Sequence, residues 1–338
     1  MRSILVDSAG VHWSRTERRA LLPGEVRIKV RAAAITGLDR DVVSGRIPFT
    51  GTPGHAFVGQ VTEVEDPAYG NLLGRRVIPR GMWGCGNCDV CRVGLQDMCG
   101  DPRIPGLRGA NGGHSEQVVM PASAVAPLDE VLTDEAAVLV PLTAGILNCI
   151  TRAQMPEWTN VLVIGDGGAG LVAGCLLSAA GYTVTVHGRH GDRFNLLRRY
   201  RVNFVLSSDD SETAWRTGRI GPTPMRYPIV VDASGTPDGW QTCLDLVTPG
   251  GSLLMLSSAA DGVPRPVERI QEKGVRVYGV RSGFLEAAMA IIASGHFDPT
   301  AVFRRVEPFD EALDAYERAG QREHWMTLLR MVDPDPTA

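Results

Sequence analysis

Asn160-Val161-Leu162-Val163-Ile164-Gly165-Asp166-Gly167-Gly168-Ala169-Gly170 is an apolar run that ends in glycines spaced G-x-G-x-x-G. Four consecutive aliphatic residues read as a parallel strand covered on both faces. Leu171 to Ala180 then reads as a helix that Gly181 stops. Glycines at this spacing between a strand and a helix are the fingerprint of a dinucleotide site. Gly165 permits the tight turn, Gly167 lets backbone approach a pyrophosphate, and Gly170 lets helix and strand meet closely. Gly168 and Ala169 open the helix, whose free N–H groups and positive end favour phosphate. An ordinary glycine-rich turn would need neither flank. Downstream, strand-like runs at Tyr182 to Val186, Phe204 to Leu206, Pro228 to Val231, Gly251 to Leu256 and Val275 to Val280 alternate with helical stretches such as Asn195 to Tyr200. That alternation predicts a doubly wound α/β sheet of the Rossmann type.

The end of the second strand selects the cofactor. A carboxylate there hydrogen-bonds the adenine ribose hydroxyls and repels a 2′-phosphate. This chain has His187-Gly188-Arg189-His190 instead, with Arg193 one helical turn on. Gly188 leaves space, and the Arg189 fork suits a phosphate. The reading favours NADPH, with Gly188, Arg189 and Arg193 as its contacts. A solvated basic edge is the plainer alternative.

Before residue 144 the grammar differs. Val26, Ile28 and Val30 alternate with Arg27, Lys29 and Arg31, as in a half-buried strand. Val58, Val61 and Val64, then Arg76 to Ile78, predict further strands, and from Asp134 the apolar positions Ala136, Leu139, Leu142 and Ile146 share one helical face. After Gly283 helices return at Leu285 to Ser294 and Asp310 to Ala319, followed by an apolar segment, Trp325 to Val332. The expected division is a β-rich domain of residues 1–143 and 284–338 around a Rossmann domain of residues 144–283.

Length and composition agree with two domains. The chain has 338 residues, beyond what one core serves well. Its net charge of −4 argues against a nucleic-acid partner held by a general positive field. No apolar run reaches the length of a membrane span. Met1 to Asp7 meets a charge after three apolar residues, unlike a signal peptide. A cytoplasmic protein is expected.

Cys85, Cys88, Cys91 and Cys99 fall within one short stretch, whereas Cys149, Cys175 and Cys243 are scattered among apolar residues. Four clustered thiolates suit one tetrahedral Zn²⁺, and a closed sulfur shell leaves no position for substrate, so the site reads as structural. A four-iron cluster and disulfides are the competing readings. The first lacks any other sign of electron transfer, and the second is rare in a reducing compartment.

These motifs, together with Pro23-Gly24-Glu25-Val26, Pro53-Gly54-His55, Gly112-Gly113, Asp232-Ala233-Ser234-Gly235 and Pro249-Gly250-Gly251, resemble those of the zinc-containing medium-chain dehydrogenase/reductase family, which includes the alcohol dehydrogenases. The resemblance covers nearly the whole chain. It implies a co-chaperonin-like β-rich catalytic domain beside the Rossmann domain, a small-molecule substrate, and a homodimer or homotetramer.

The family's catalytic zinc does not carry over. Its usual Cys-Gly-Thr/Ser-Asp is Thr36-Gly37-Leu38-Asp39 here, the relay His is Asp41, Gly-His-Glu is Gly54-His55-Ala56, and the later acid or Cys is Val140. One nitrogen ligand cannot hold a catalytic zinc, which needs about three protein ligands. His55 is then either an inert turn residue or a proton donor, with Thr36 and Asp39 or Asp41 orienting it. The expected activity is NADPH-dependent reduction of a ketone in specialised metabolism, such as a keto-sugar or cyclitol, with His55 and Thr36 as donors. Reduction of an activated C=C or an iminium, which needs no Lewis acid, is the second reading. A non-catalytic nucleotide-binding protein is the third.

Overall fold

The computed structural model describes residues 1–154, 159–207, 226–257, 267–280, 283–319 and 326–331. They form two compact units, Met1–Pro141 with Leu285–Ala338, and Leu142–Phe284.

In the second unit, six parallel strands form one sheet. Their order is Asn203–Leu206, Thr183–Gly188, Asn160–Ile164, Tyr227–Asp232, Val247–Met255 and Arg276–Gly279. The chain starts in the middle, winds to one edge, then returns and winds to the other. The reversal lies between Asn160–Ile164 and Tyr227–Asp232, where doubly wound sheets bind ligands. Val161, Leu162 and Val163 are fully buried, as the continuous apolar run requires. Leu162, Val230, Trp240, Leu244 and Leu253 join one core under the sheet. Lys273 donates to the carbonyls of Leu244, Asp245 and Val247, capping the end of helix Pro237–Leu246.

The first unit is built on the long strand Glu25–Ile35. It pairs antiparallel with Phe57–Val64 along one edge and with Gln117–Pro121 and Thr327–Arg330 along the other. Val26, Ile28, Val30, Phe57, Val77 and Met120 share its main core. Burying one side chain the size of Phe57 contributes about 1.5–3 kcal/mol. Helix Ala312–Ala319 presents Ala312, Ala315, Tyr316 and Ala319 at helical spacing to a second core with Ile4, Ile35, Phe309 and Leu329.

Two sequence expectations change here. The alternation puts Arg27 on the polar face, yet it is 1% exposed. Its guanidinium bonds Glu63 at 2.7 Å through Nε and the Arg19 carbonyl through Nη2, which pairs the charge. The single helix expected from Asp134 is two, Asp134–Val138 and Val140–Ala153. Pro141 lacks an N–H and crowds the carbonyl of the preceding turn, so the first helix closes at Leu139. Of the apolar segment Trp325 to Val332, Thr327–Arg330 is a strand, while Trp325, Val332 and residues 334–338 lie outside the described residues.

Candidate functional site

The glycine loop leaves strand Asn160–Ile164 and enters helix Gly168–Ala179, with Gly167 as its N-cap. Gly165 has φ +110°, and a Cβ there would lie 2.6 Å from the Ala233 carbonyl oxygen, so only glycine fits the turn. A Cβ on Gly170 would collide with the Gly165 carbonyl. A Cβ on Gly167 would meet open space, and Gly168 and Ala169 follow as the first helical residues. The Gly167 backbone is thus open on the side where its side chain would stand, as close approach by a pyrophosphate needs.

The strand end differs from expectation. A carboxylate is present after all, but it belongs to the loop. Asp166 Oδ2 accepts the backbone N–H groups of Arg189 at 2.9 Å and His190 at 2.8 Å, and it lies 3.0 Å from His190 Nδ1. Asp166 Oδ1 is 3.1 Å from Arg193 Nη1, which also donates to the Asp166 carbonyl. Asp166 and Arg193 are 5% and 3% exposed, so Arg193 is not a solvated phosphate contact but the buried partner of Asp166. A Cβ on Gly188 would collide with Asp166, so the space at Gly188 is taken by that side chain rather than left for a ligand. Arg189 alone of the two arginines is exposed. Sequence reasoning missed Asp166 because the fingerprint leaves its position undetermined. The missing side chain at Gly188 was the available signal, and it was assigned to the ligand.

The sulfur atoms of Cys85, Cys88, Cys91 and Cys99 all lie within 4.8 Å of one another. Cys88 Sγ and Cys99 Sγ are 3.8 Å apart, the edge of a tetrahedron with metal–sulfur bonds of about 2.3 Å. Backbone N–H groups of Asn87 and Cys88 bring the Cys85 thiol down to about 6, whereas desolvation pushes Cys91 up to about 12. A dication resolves that conflict by holding all four as thiolates, and the residues fit Zn²⁺.

In the first unit, strand Glu25–Ile35 runs through Thr36 into helix Gly37–Val43. Asp39 is fully buried. Its Oδ2 accepts the N–H and hydroxyl of Thr36, both at 2.8 Å, and its Oδ1 accepts the Gly54 N–H at 2.9 Å. His55 Nδ1 lies 3.7 Å from Asp39 Oδ2, an ion-pair distance beyond hydrogen bonding. That nitrogen is buried with no hydrogen-bond partner among the described residues, although the ring is 24% exposed. Burial alone would raise the Asp39 carboxyl. Its interaction with His55 and the Thr36 N–H outweigh burial and hold it well below the usual carboxylate range.

Asp41 does not join this group. Residues two apart on a helix face different ways, and Asp41 pairs with Arg46. Nor is Thr36 set up as a substrate donor, because its one hydroxyl proton goes to Asp39. His114 is fully buried and lies 2.6 Å from Tyr316 Oη and 3.1 Å from the Ala34 carbonyl. A carbonyl only accepts, so Nε2 carries the proton and the Tyr316 hydroxyl donates to Nδ1. Burial lowers the His114 pKa, which keeps the ring neutral.

The positions that would complete a second metal site do not fit one. Ala56 and Val140 are buried and apolar, and Thr36 is engaged with Asp39. Among the described residues, the cysteine cluster is the one group of three or more His, Cys, Asp or Glu side chains able to share an ion.

A Rossmann sheet with its glycine loop and a β-rich unit with a four-cysteine lobe make up the fold seen in zinc-type dehydrogenases. Residues 22–130 match the family model of the alcohol dehydrogenase GroES-like domain. The chain is similar to zinc-type dehydrogenases, and these relatives support an oxidoreductase. It is 25% identical over 329 residues to the starvation-sensing protein RspB of Escherichia coli K12, covering 93% of this chain and 94% of that one. It is 28% identical over 266 residues to L-threonine 3-dehydrogenase of Xanthomonas campestris pv. campestris strain B100, covering 76% and 77%. Its fold matches a putative zinc-binding dehydrogenase from Sinorhizobium meliloti bound to NADP, with TM-score 0.85, 22% identity, and 97% and 98% of the two chains covered. It also matches the rspB alcohol dehydrogenase of E. coli CFT073 complexed with NADH, with TM-score 0.82, 23% identity, and 98% and 99% covered. The same fold therefore carries either cofactor. Among the described residues, no helix is long and apolar enough to cross a membrane.

Proposed function

We propose that the protein is an NADPH-dependent reductase of a ketone on a small polar metabolite, such as a keto-sugar or cyclitol, and that it works without a catalytic zinc. The observation that carries this reading is the buried Asp39 beside Nδ1 of the part-exposed His55. When bound, NADPH supplies the hydride that reduces the carbonyl carbon. His55 gives the carbonyl oxygen its proton, so the products are the alcohol and NADP⁺. The ionised Asp39 faces Nδ1 at 3.7 Å, where its charge would stabilise the ring as a proton donor. Gly165 to Gly170 would hold the pyrophosphate and Arg189 the 2′-phosphate. Zn²⁺ on the four cysteines would be structural and single. The chain is proposed to act as a homodimer or homotetramer in the cytoplasm.

The test is NADPH oxidation against ketones, enones and cyclic imines. Ketone reduction is expected, with His55→Ala lowering kcat by about a hundredfold or more and leaving NADPH binding intact. Chelator should not change the rate over minutes. Loss of activity in chelator with the fold intact would place a metal in the reaction and end this reading. One observation favours the second reading, reduction of an activated C=C or an iminium. The Thr36 proton is committed to Asp39, so Thr36 has none to give an oxyanion. Near-full activity of His55→Ala on an enone or imine, without ketone turnover, would establish it.

A further inference from the structure

We infer that Asp166 is a specificity-positioning residue for the cofactor: it clamps the turn after the second Rossmann strand so that Arg189 is presented to the 2′-phosphate. The inference rests on the NADP(H) reading and adds the residue that makes it work.

The argument begins with charge. A carboxylate at this strand end ordinarily selects against a 2′-phosphate, so a buried one at the same place needs an account. Both oxygens of Asp166 are spent. One accepts two backbone N–H groups of the turn, the other faces the Arg193 guanidinium, and the residue is 5% exposed. It is therefore not available to ribose hydroxyls, and its charge is balanced by Arg193 within the fold. The groups facing it are Arg193 and His190 from the turn and the backbone N–H groups of Arg189 and His190. What remains outside is the Arg189 side chain, exposed, on the residue whose own N–H is fixed by Asp166. The acid thus acts through backbone rather than on the ligand. It places a fork whose base cannot swing, and a bidentate contact gains from such preorganisation. Gly188 belongs to the same device, because any side chain there would push Asp166 out.

The test uses the full-length protein and two fragments that report only on the adenosine end, 2′,5′-ADP and 5′-AMP, by calorimetry. The unmodified protein should bind 2′,5′-ADP at least tenfold tighter. Asp166→Asn should weaken 2′,5′-ADP about fivefold or more and change 5′-AMP less than twofold. In an Arg189→Ala background, Asp166→Asn should cause no further loss, because the two act as one unit. Gly188→Ala, which displaces the carboxylate without removing its charge, should reproduce the selective loss. Equal weakening of both fragments means that Asp166 only supports the fold and overturns the inference. Unchanged or tighter 2′,5′-ADP binding means that its charge merely opposes the phosphate and also overturns it. If the unmodified protein does not discriminate between the fragments, the NADP(H) reading itself fails and the inference falls with it.

Discussion

His114 shows how a single buried side chain links local bonding to the behaviour of the molecule. Both ring nitrogens are engaged in the neutral form, and protonation at Nδ1 would make the buried Tyr316 hydroxyl turn its proton away and accept instead. Its pKa is lowered by burial, so the folded state binds its proton less readily than the unfolded chain, whose histidine titrates near about 6.5. The stability it contributes is present above about 6.5 and is lost as pH falls below that. Asp39 has the same sign: its depressed folded pKa gives stability above the unfolded value near about 3.9, lost on further acidification. Urea unfolding should therefore show lower stability at pH 5 than at pH 7.5. His114→Gln should be less stable at pH 7.5 and should show a smaller difference between the two pH values. An undiminished difference in the variant would mean that another group carries the dependence. From sequence, His114 was one histidine in a glycine-flanked segment. Its partner Tyr316 lies 202 positions away, and no local pattern signals such a pair.

The four-cysteine lobe is the element whose shape depends most on something other than apolar burial. Val93, Leu95 and Met98 around it are exposed, so the segment has little core of its own. Elemental analysis should give one zinc per chain and not two. Cys91→Ser should release that zinc and lower the melting temperature, because metal binding free energy is folding free energy in such a loop. A variant that keeps its zinc and its melting temperature would contradict the tetrahedral site. Elements of this kind were readable because short-range spacing alone defines them. The same holds for strand Asn160–Ile164 and helix Gly168–Ala179, where an apolar run and three glycines lie side by side. Reading failed where a distant residue decides the outcome. Arg27 looked solvated because period two alone cannot show Glu63 arriving from the neighbouring strand. The strand end after Val186 looked free of acid because Asp166 precedes it by more than twenty positions. The break at Leu139 is the exception, since Pro141 stands in the sequence two residues on, within an apolar periodicity that runs through it.

At the scale of the whole chain, continuity separates the two units. Leu142–Phe284 is one unbroken stretch, whereas Met1–Pro141 needs Leu285–Ala338 to be complete. The six-stranded sheet draws every strand from the unbroken stretch. Residues 142–284 produced alone should therefore fold and bind NADPH with an affinity close to that of the full chain. Residues 1–141 produced alone should not fold. They would lack strand Thr327–Arg330, which pairs with Ala32 to Ile35, and so leave that edge of the sheet bare. They would also lack Phe309, Tyr316 and Leu329 from the core around Ile4 and Ile35, and His114 would lose its phenol partner in a buried position. Replacing the insert by a short flexible linker supplies all of these. Loop-closure entropy grows only by about 0.6 kcal/mol per doubling of loop length, so the natural insert costs the first unit little, and the short linker should restore folding. Circular dichroism with zinc content for the joined fragment, and NADPH titration for the insert, make the measurement. A folded, zinc-loaded 1–141 fragment would show that the late segment is dispensable, and an insert that stays unfolded would show that its sheet depends on the rest of the chain.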